Sequence, residues 1–227
     1  MTAGEAVNDI AGAGSPAAST PGRPTAAMAE AKREAIVAAA AEVFLEMGFG
    51  AASMDAIART AGVSKATIYS HFTNKQALFG AIMQGRCGRM IDTAFSAADL
   101  AARGPEAALT LIGRQFLDLL LTPGSLPLYR LVLAEAPRFP ELGQVFYRSG
   151  PDRVAGALAA YLEEQHRRGA LKVDDPRLAA EQFFGMVLGH LHIKVLLAIL
   201  PEPPGPEERA RVVATAVATF MDGHRAR

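Results

Sequence analysis

The 227-residue chain has no tryptophan, one cysteine, few aromatic residues (7%) and no net charge, its 23 basic side chains matching 23 acidic ones. Each shortage excludes something. A lone Cys87 cannot build an intrachain disulfide framework and suits a reducing compartment; it reads as a small buried hydrophobe or an idle thiol. Zero net charge excludes a chain coated in basic groups for phosphate, but not a local basic face balanced elsewhere. Met1 to Met28 lacks a basic segment followed by an apolar one, so no secretory signal is read there. The longest apolar run, Phe183 to Leu200, contains His190, His192 and Lys194, which a membrane span would tolerate poorly. These exclusions predict a cytoplasmic protein without membrane attachment, long enough to bury a sizeable core.

What is abundant is alanine and leucine, in a chain half hydrophobic, which favours helix. Residues 1–28 are rich in Ala, Gly, Ser, Thr and Pro without periodicity and read as a flexible tail. Its single basic residue, Arg23, is either a solvated linker side chain or an arm that reaches a minor groove. From Glu30, Ile36, Ala40, Val43, Phe44 and Met47 recur at helical spacing, and Gly48 supplies a stop. Ser53 caps a short helix, Met54 to Ala61, with Asp55 in its first turn. Gly62 ends it, Val63 plugs the core, and Ser64 caps a third helix, Lys65 to Phe72. Thr73-Asn74-Lys75-Gln76 has the form of a capping box, Thr73 being the cap, and opens a helix towards Ala94. Further helices are expected near 105–121, 126–136, 140–166, 176–199 and 206–222. Gly150-Pro151 should split the third of these, and Asp175-Pro176 should start the fourth. No stretch alternates as a strand does. The predicted fold class is all-α: an N-terminal three-helix helix-turn-helix domain followed by a larger helical domain.

Two short helices around a glycine turn are the minimal reader of a DNA major groove. Ile57, Ala58, Ala61, Val63, Ile68 and Phe72 would share a small core with the first helix. That turns Lys65, Thr67, Tyr69, Ser70 and His71 outward, a set able to contact phosphates and base edges. A helical hairpin by itself is common in bundles that bind nothing. Seven bases against five acids in residues 29–91 leave only +2, so affinity would need two copies of the reader.

The order Gly48-Phe49, Ser53-Met54, Ile57-Ala58, Ala61-Gly62-Val63-Ser64-Lys65, Thr67-Ile68-Tyr69, His71-Phe72, Asn74-Lys75 and Leu78 resembles the DNA-binding domain of the TetR family, over residues 29–91. The resemblance implies that Lys65–Phe72 is the recognition helix, with Lys65, Ala66, Thr67, Tyr69 and His71 on bases or flanking phosphates. Ser64 would cap it, Ser53 would brace the backbone on the other side, and Ser70 falls at a variable position. Lys75 would hold a phosphate at the amino end of the next helix. Tyr69 packing its ring, His71 as an ordinary exposed histidine and Lys75 as a solvated helix start remain the plainer readings.

Residues 92–227 would then be the regulatory half. The resemblance implies a homodimer on a palindromic double-stranded operator, joined through the last two helices. Gly185 and Gly189 would allow a close approach, within the chain or between two copies. The run Leu128-Tyr129-Arg130-Leu131, Glu135 to Leu142 and Phe146-Tyr147 is similar to the C-terminal domain of the AefR-like subgroup, which implies repression. A mainly apolar pocket for a small effector is expected among Phe95, Phe116, Tyr129, Phe146, Phe183, Met186 and His190, each of which also reads as plain core. No cofactor or metal is expected. A helical-bundle metal enzyme would need two Glu-x-x-His pairs, and only Glu163 with His166 offers one. His190 and His192 stand about 200° apart on a helix and cannot share a metal. A constitutive DNA-binding repressor without an effector stays open.

Overall fold

The computed structural model describes residues 26–96, 100, 103–200 and 202–225. Arg23 and most of the predicted tail lie outside the described residues, among which ten helices and no strand are found. A single isolated bridge joins Leu171 and Arg225.

The first helix, α1 (Ala26–Ala51), starts four residues ahead of Glu30 and breaks at Gly48, whose φ of 78° and ψ of 161° lie outside helical geometry. Only glycine takes that conformation freely. The break turns Phe49 into the core, where its ring meets Phe44 at 5.4 Å and Phe79 at 6.1 Å. Met47, expected on the buried stripe, is instead half exposed, because Phe49 occupies the inward position beyond the bend.

Two short helices follow, α2 (Met54–Thr60) and α3 (Lys65–His71), each with the predicted serine cap. Ser53 Oγ accepts the Ala56 amide at 3.1 Å and Ser64 Oγ accepts the Thr67 amide at 3.1 Å. Ile57 and Ile68 are fully buried, with Ala58 and Phe72 nearly so. Helix α4 (Lys75–Ala94) is capped by Asn74 rather than Thr73: Asn74 Oδ1 accepts the Ala77 amide at 2.8 Å. The amide oxygen wins because it stands one residue closer to the first turn, three residues before the N–H it bonds.

Helix α4 belongs to both halves. Leu78 and Phe79 complete the core beneath α1, and its later turns pack on α5 (Pro105–Leu121), α7 (Pro140–Ser149) and α8 (Pro151–Arg167). Between α5 and α7, α6 (Ser125–Glu135) reaches back to touch α1. The split at Gly150-Pro151 falls where the sequence places it. Asp175 caps α9 (Pro176–Leu196) through the Leu178 amide at 3.0 Å. That helix is interrupted at Gly189, with φ 45° and ψ −153°, so the apolar run Phe183–Leu200 is not one continuous rod. Among the described residues no single helix is long and apolar enough to cross a membrane. The last helix, α10 (Pro206–His224), lies along α5 and α9.

Candidate functional site

Helix α3 presents the polar face expected of it. Ala66, Tyr69 and Ser70 are exposed, Thr67 and His71 half-buried, and Ile68 anchors the opposite side. The first turn is fixed by side chains: Ser64 Oγ and Thr67 Oγ1 stand 2.8 Å apart, and Ser70 Oγ donates to the Thr67 carbonyl at 2.7 Å. Tyr69 is 47% exposed, and His71 leans on Phe72 with ring centroids 6.4 Å apart. Lys65 reaches back to Asp55 on α2 at 2.9 Å; that hydrogen bond and its charge raise the lysine above its ordinary pKa. The pair is exposed, so the ammonium is free to exchange Asp55 for a phosphate.

Lys75 has partners within the chain. Its ammonium donates to the carbonyls of Phe49 at 2.6 Å, Gly50 at 3.1 Å and Ala52 at 3.2 Å. All three protons of a lysine are thereby used, and the group also lies over the Phe49 ring at 4.6 Å. A chain that breaks at Gly48 leaves carbonyls without helical partners, and Lys75 satisfies them. Within the chain it braces the backbone beneath the reader.

The same junction is gripped from the regulatory side. Glu135, the last residue of α6, accepts the Gly50 amide through Oε2 at 2.8 Å. A Cβ at position 48 would stand 2.5 Å from Glu135 Oε1, so glycine there serves both the bend and the carboxylate. Phe139 packs edge-on against Phe49 at 5.8 Å and lies within 5.7 Å of the Lys75 ammonium. Neither Glu135 nor Phe139 is an obvious partner of the reader in sequence, since they stand 85 and 90 residues from Gly50 and Phe49, the residues they touch.

The other end of α6 walls a cavity of about 380 Å³. Of the seven predicted pocket residues, Phe116, Tyr129 and Phe146 line it. The other four do not. Phe183 is fully buried against Phe220 at 5.5 Å, Phe95 packs on the core at the end of α4, Met186 faces a shallow groove beside α10, and His190 is exposed. Helical geometry explains the misses. Each residue along a helix turns the side chain by about 100°, so Phe184, one step on from Phe183, and His192, two steps on from His190, face the cavity. Phe184 meets Phe116 at 4.3 Å, and His192 stands edge-on to Tyr129 at 5.1 Å.

Arg86, Cys87, Ser125 and Glu181 add the polar points to this mostly apolar lining. A detectable signal existed for Arg86, a charge set on the apolar face made by Met83, Cys87 and Met90. Burial raises the Cys87 thiol and lowers His192, so both are neutral at physiological pH. Arg177 bonds Glu181 at 2.7 Å and Asp152 at 2.7 Å across the start of α8; these bonds raise its already high pKa. Further up α6, Arg130 donates to the carbonyls of Val195 at 2.7 Å and Leu196 at 2.9 Å, closing the end of α9. His166 has a structural use: its Nδ1 accepts the Val173 amide at 3.1 Å.

Residues 107–226 match the family model described as the AefR-like transcriptional repressor C-terminal domain, and residues 36–82 match that of the bacterial regulatory proteins of the tetR family. The HTH-type transcriptional regulator SrpR of Pseudomonas putida is 29% identical over 201 residues, covering 80% of this chain and 91% of SrpR. Over the reader alone, the activator FasR of Mycolicibacterium smegmatis is 42% identical across 60 residues, 26% of this chain and 27% of that one. Among solved structures, the flavonoid-responsive regulator FrrA is 34% identical with a TM-score of 0.70, covering 87% of this chain and 99% of FrrA. A TetR-family regulator from Mesorhizobium loti gives 29% and 0.72, over 87% and 98%. With a capped recognition helix, an all-helical second half and both family models matched in order, the chain belongs to the TetR family of DNA-binding transcriptional regulators and is not an enzyme.

Proposed function

We propose that this protein is a repressor, released from a palindromic operator when a small, largely apolar effector fills the cavity walled by α6. The single observation that carries this reading is α6 itself. One end lines the cavity through Leu126, Leu128 and Tyr129, and the other grips the reader through Glu135. A molecule that displaces Tyr129 therefore acts on the element that holds α1 to the regulatory half. The switch is a population shift between reader orientations, of which one spans successive major grooves.

In this reading residues 29–91 are the DNA-binding domain and 92–227 the regulatory one. Ser53, Ser64, Lys65, Ala66, Thr67, Tyr69, Ser70 and His71 form the DNA face, with Lys75 steadying it from below. The name of FrrA as flavonoid-responsive fits a cavity whose walls are aromatic and supports a planar effector of that size. Two readers come from a homodimer. Support for it lies on α9 and just beyond, where Leu178, Ile193, Leu197 and Ile199 are exposed and, among the described residues, nothing approaches a Cβ placed at Gly185 or Gly189. At Gly189 the φ of 45° is a further reason for glycine.

The test is fluorescence anisotropy on DNA selected from genomic fragments, across a salt series, with a planar aromatic library added to the bound complex. A palindromic site, a steep salt slope and release by a library member uphold the reading. A folded protein without sequence preference overturns it. Specific binding that no compound releases favours a constitutive repressor.

A further inference from the structure

We propose that the effector is an acid: its aromatic body lies between Phe116, Phe184 and Tyr129, and its anionic oxygens pair with the Arg86 guanidinium. This deepens the effector reading above and rests on it. Arg86 lines the cavity from α4 and is half-buried. Its one hydrogen bond is long, from Nη1 to Ser125 Oγ at 3.3 Å. A guanidinium carries five N–H donors and keeps its charge. Among the described residues no carboxylate stands within ion-pair distance of it. The one acidic side chain of the lining, Glu181, is already answered by Arg177 at 2.7 Å.

The cation is held in place from behind. A Cβ at position 124 would stand 2.6 Å from Arg86 Nη2 and 2.9 Å from Nη1, so the guanidinium lies against the bare backbone of Gly124. Burial without a counter-charge lowers the Arg86 pKa, and Arg89 nearby pushes the same way. Cys87, as a thiol, and His192, as a neutral imidazole, carry no charge that would offset it at physiological pH. A desolvated, unpaired charge is unfavourable until an opposite charge arrives. The planar fork suits two oxygens side by side, as in a carboxylate, or one ionised phenol. The rings opposite supply the rest, with Phe116–Phe184 at 4.3 Å and Tyr129–Phe146 at 5.3 Å.

Matched probes test this on the full-length protein. Isothermal titration calorimetry compares biphenyl-4-carboxylate with biphenyl-4-carboxamide, which has the same shape without the charge. The carboxylate is expected to bind at least tenfold tighter, and Arg86→Gln to remove that advantage. A second series titrates 7-hydroxyflavone below and above the ionisation of its phenol. A gain on ionisation that Arg86→Gln abolishes assigns an acidic phenol as the source, and a gain for the carboxylate alone assigns a carboxylic acid. Equal binding of acid and amide, a preference that survives Arg86→Gln, or no binding by any probe overturns the proposal. The acid–amide comparison needs no variant, so a misfolded Arg86→Gln does not blunt it. If acid and amide release DNA equally, the effector reading stands and only the anionic head falls.

Discussion

The two halves of this molecule differ in the aromatic rings at their working parts. Beneath the reader, Phe44, Phe49 and Phe79 are fully buried and close on one another within 6.1 Å. In the regulatory half, Phe116, Tyr129 and Phe146 are only half-buried, and they stand around about 380 Å³ of space. A filled core resists deformation, because each displaced ring loses contacts on every side. Rings around a void have somewhere to move. The reader is packed throughout, and the regulatory half keeps a space beside its own packed rings, Phe183 and Phe220. Helix α6 joins them, with Tyr129 on the soft side and Glu135 on the firm one.

The sharpest way to break this contrast is Phe44→Ala. Emptying the packed half is expected to cost about 3–5 kcal/mol, with DNA binding lost and the melting temperature falling by many degrees in a calorimetric scan. Next is Tyr69→Ala. It removes a ring that already faces solvent, so chemical denaturation should shift by less than about 0.5 kcal/mol, while operator affinity falls by about 1–3 kcal/mol. An equal loss in both assays would mean that Tyr69 is packing, not reading.

Glu135→Ala sharpens the comparison by uncoupling its two sides. Both halves should fold and bind their ligands, but the ratio of operator affinities with and without effector should shrink by about 1–2 kcal/mol, within the usual range of allosteric coupling. An unchanged ratio in anisotropy titrations would remove the clamp from the mechanism. The smallest effect concerns His192. Burial lowers its pKa below the ordinary 6.5, so the folded state resists a proton that the unfolded chain accepts. Its contribution to stability is complete above that ordinary value and is lost as the pH falls through it towards the folded value. Urea melts across this window should show the decline, and His192→Phe should flatten it.

The legibility of the chain follows the same division. Local rules governed the reader, and they were readable: serine caps three residues before the amides they bond, a bend at Gly48, and a polar face opposite Ile68. Where competition was close, local rules slipped, as when Asn74 rather than Thr73 capped α4. The cavity was legible only in part. Phe116, Tyr129 and Phe146 were readable as aromatic residues on apolar faces, whereas Phe183 and His190 were each adjacent to, or two residues from, the side chain that lines the space. Composition carries no phase finer than a helical turn.

The sequence by itself determined the all-α class, the helix boundaries to within a few residues and the polar face of the short helix α3, because caps, breakers and apolar periodicity act over a few residues along the chain. Tertiary structure alone decided that Lys75 braces the α1 bend, that Glu135 clamps Gly50 across 85 residues, and that Arg86 faces a cavity without a counter-ion. Those facts depend on how helices distant in the chain are rotated against one another, and that is settled by packing.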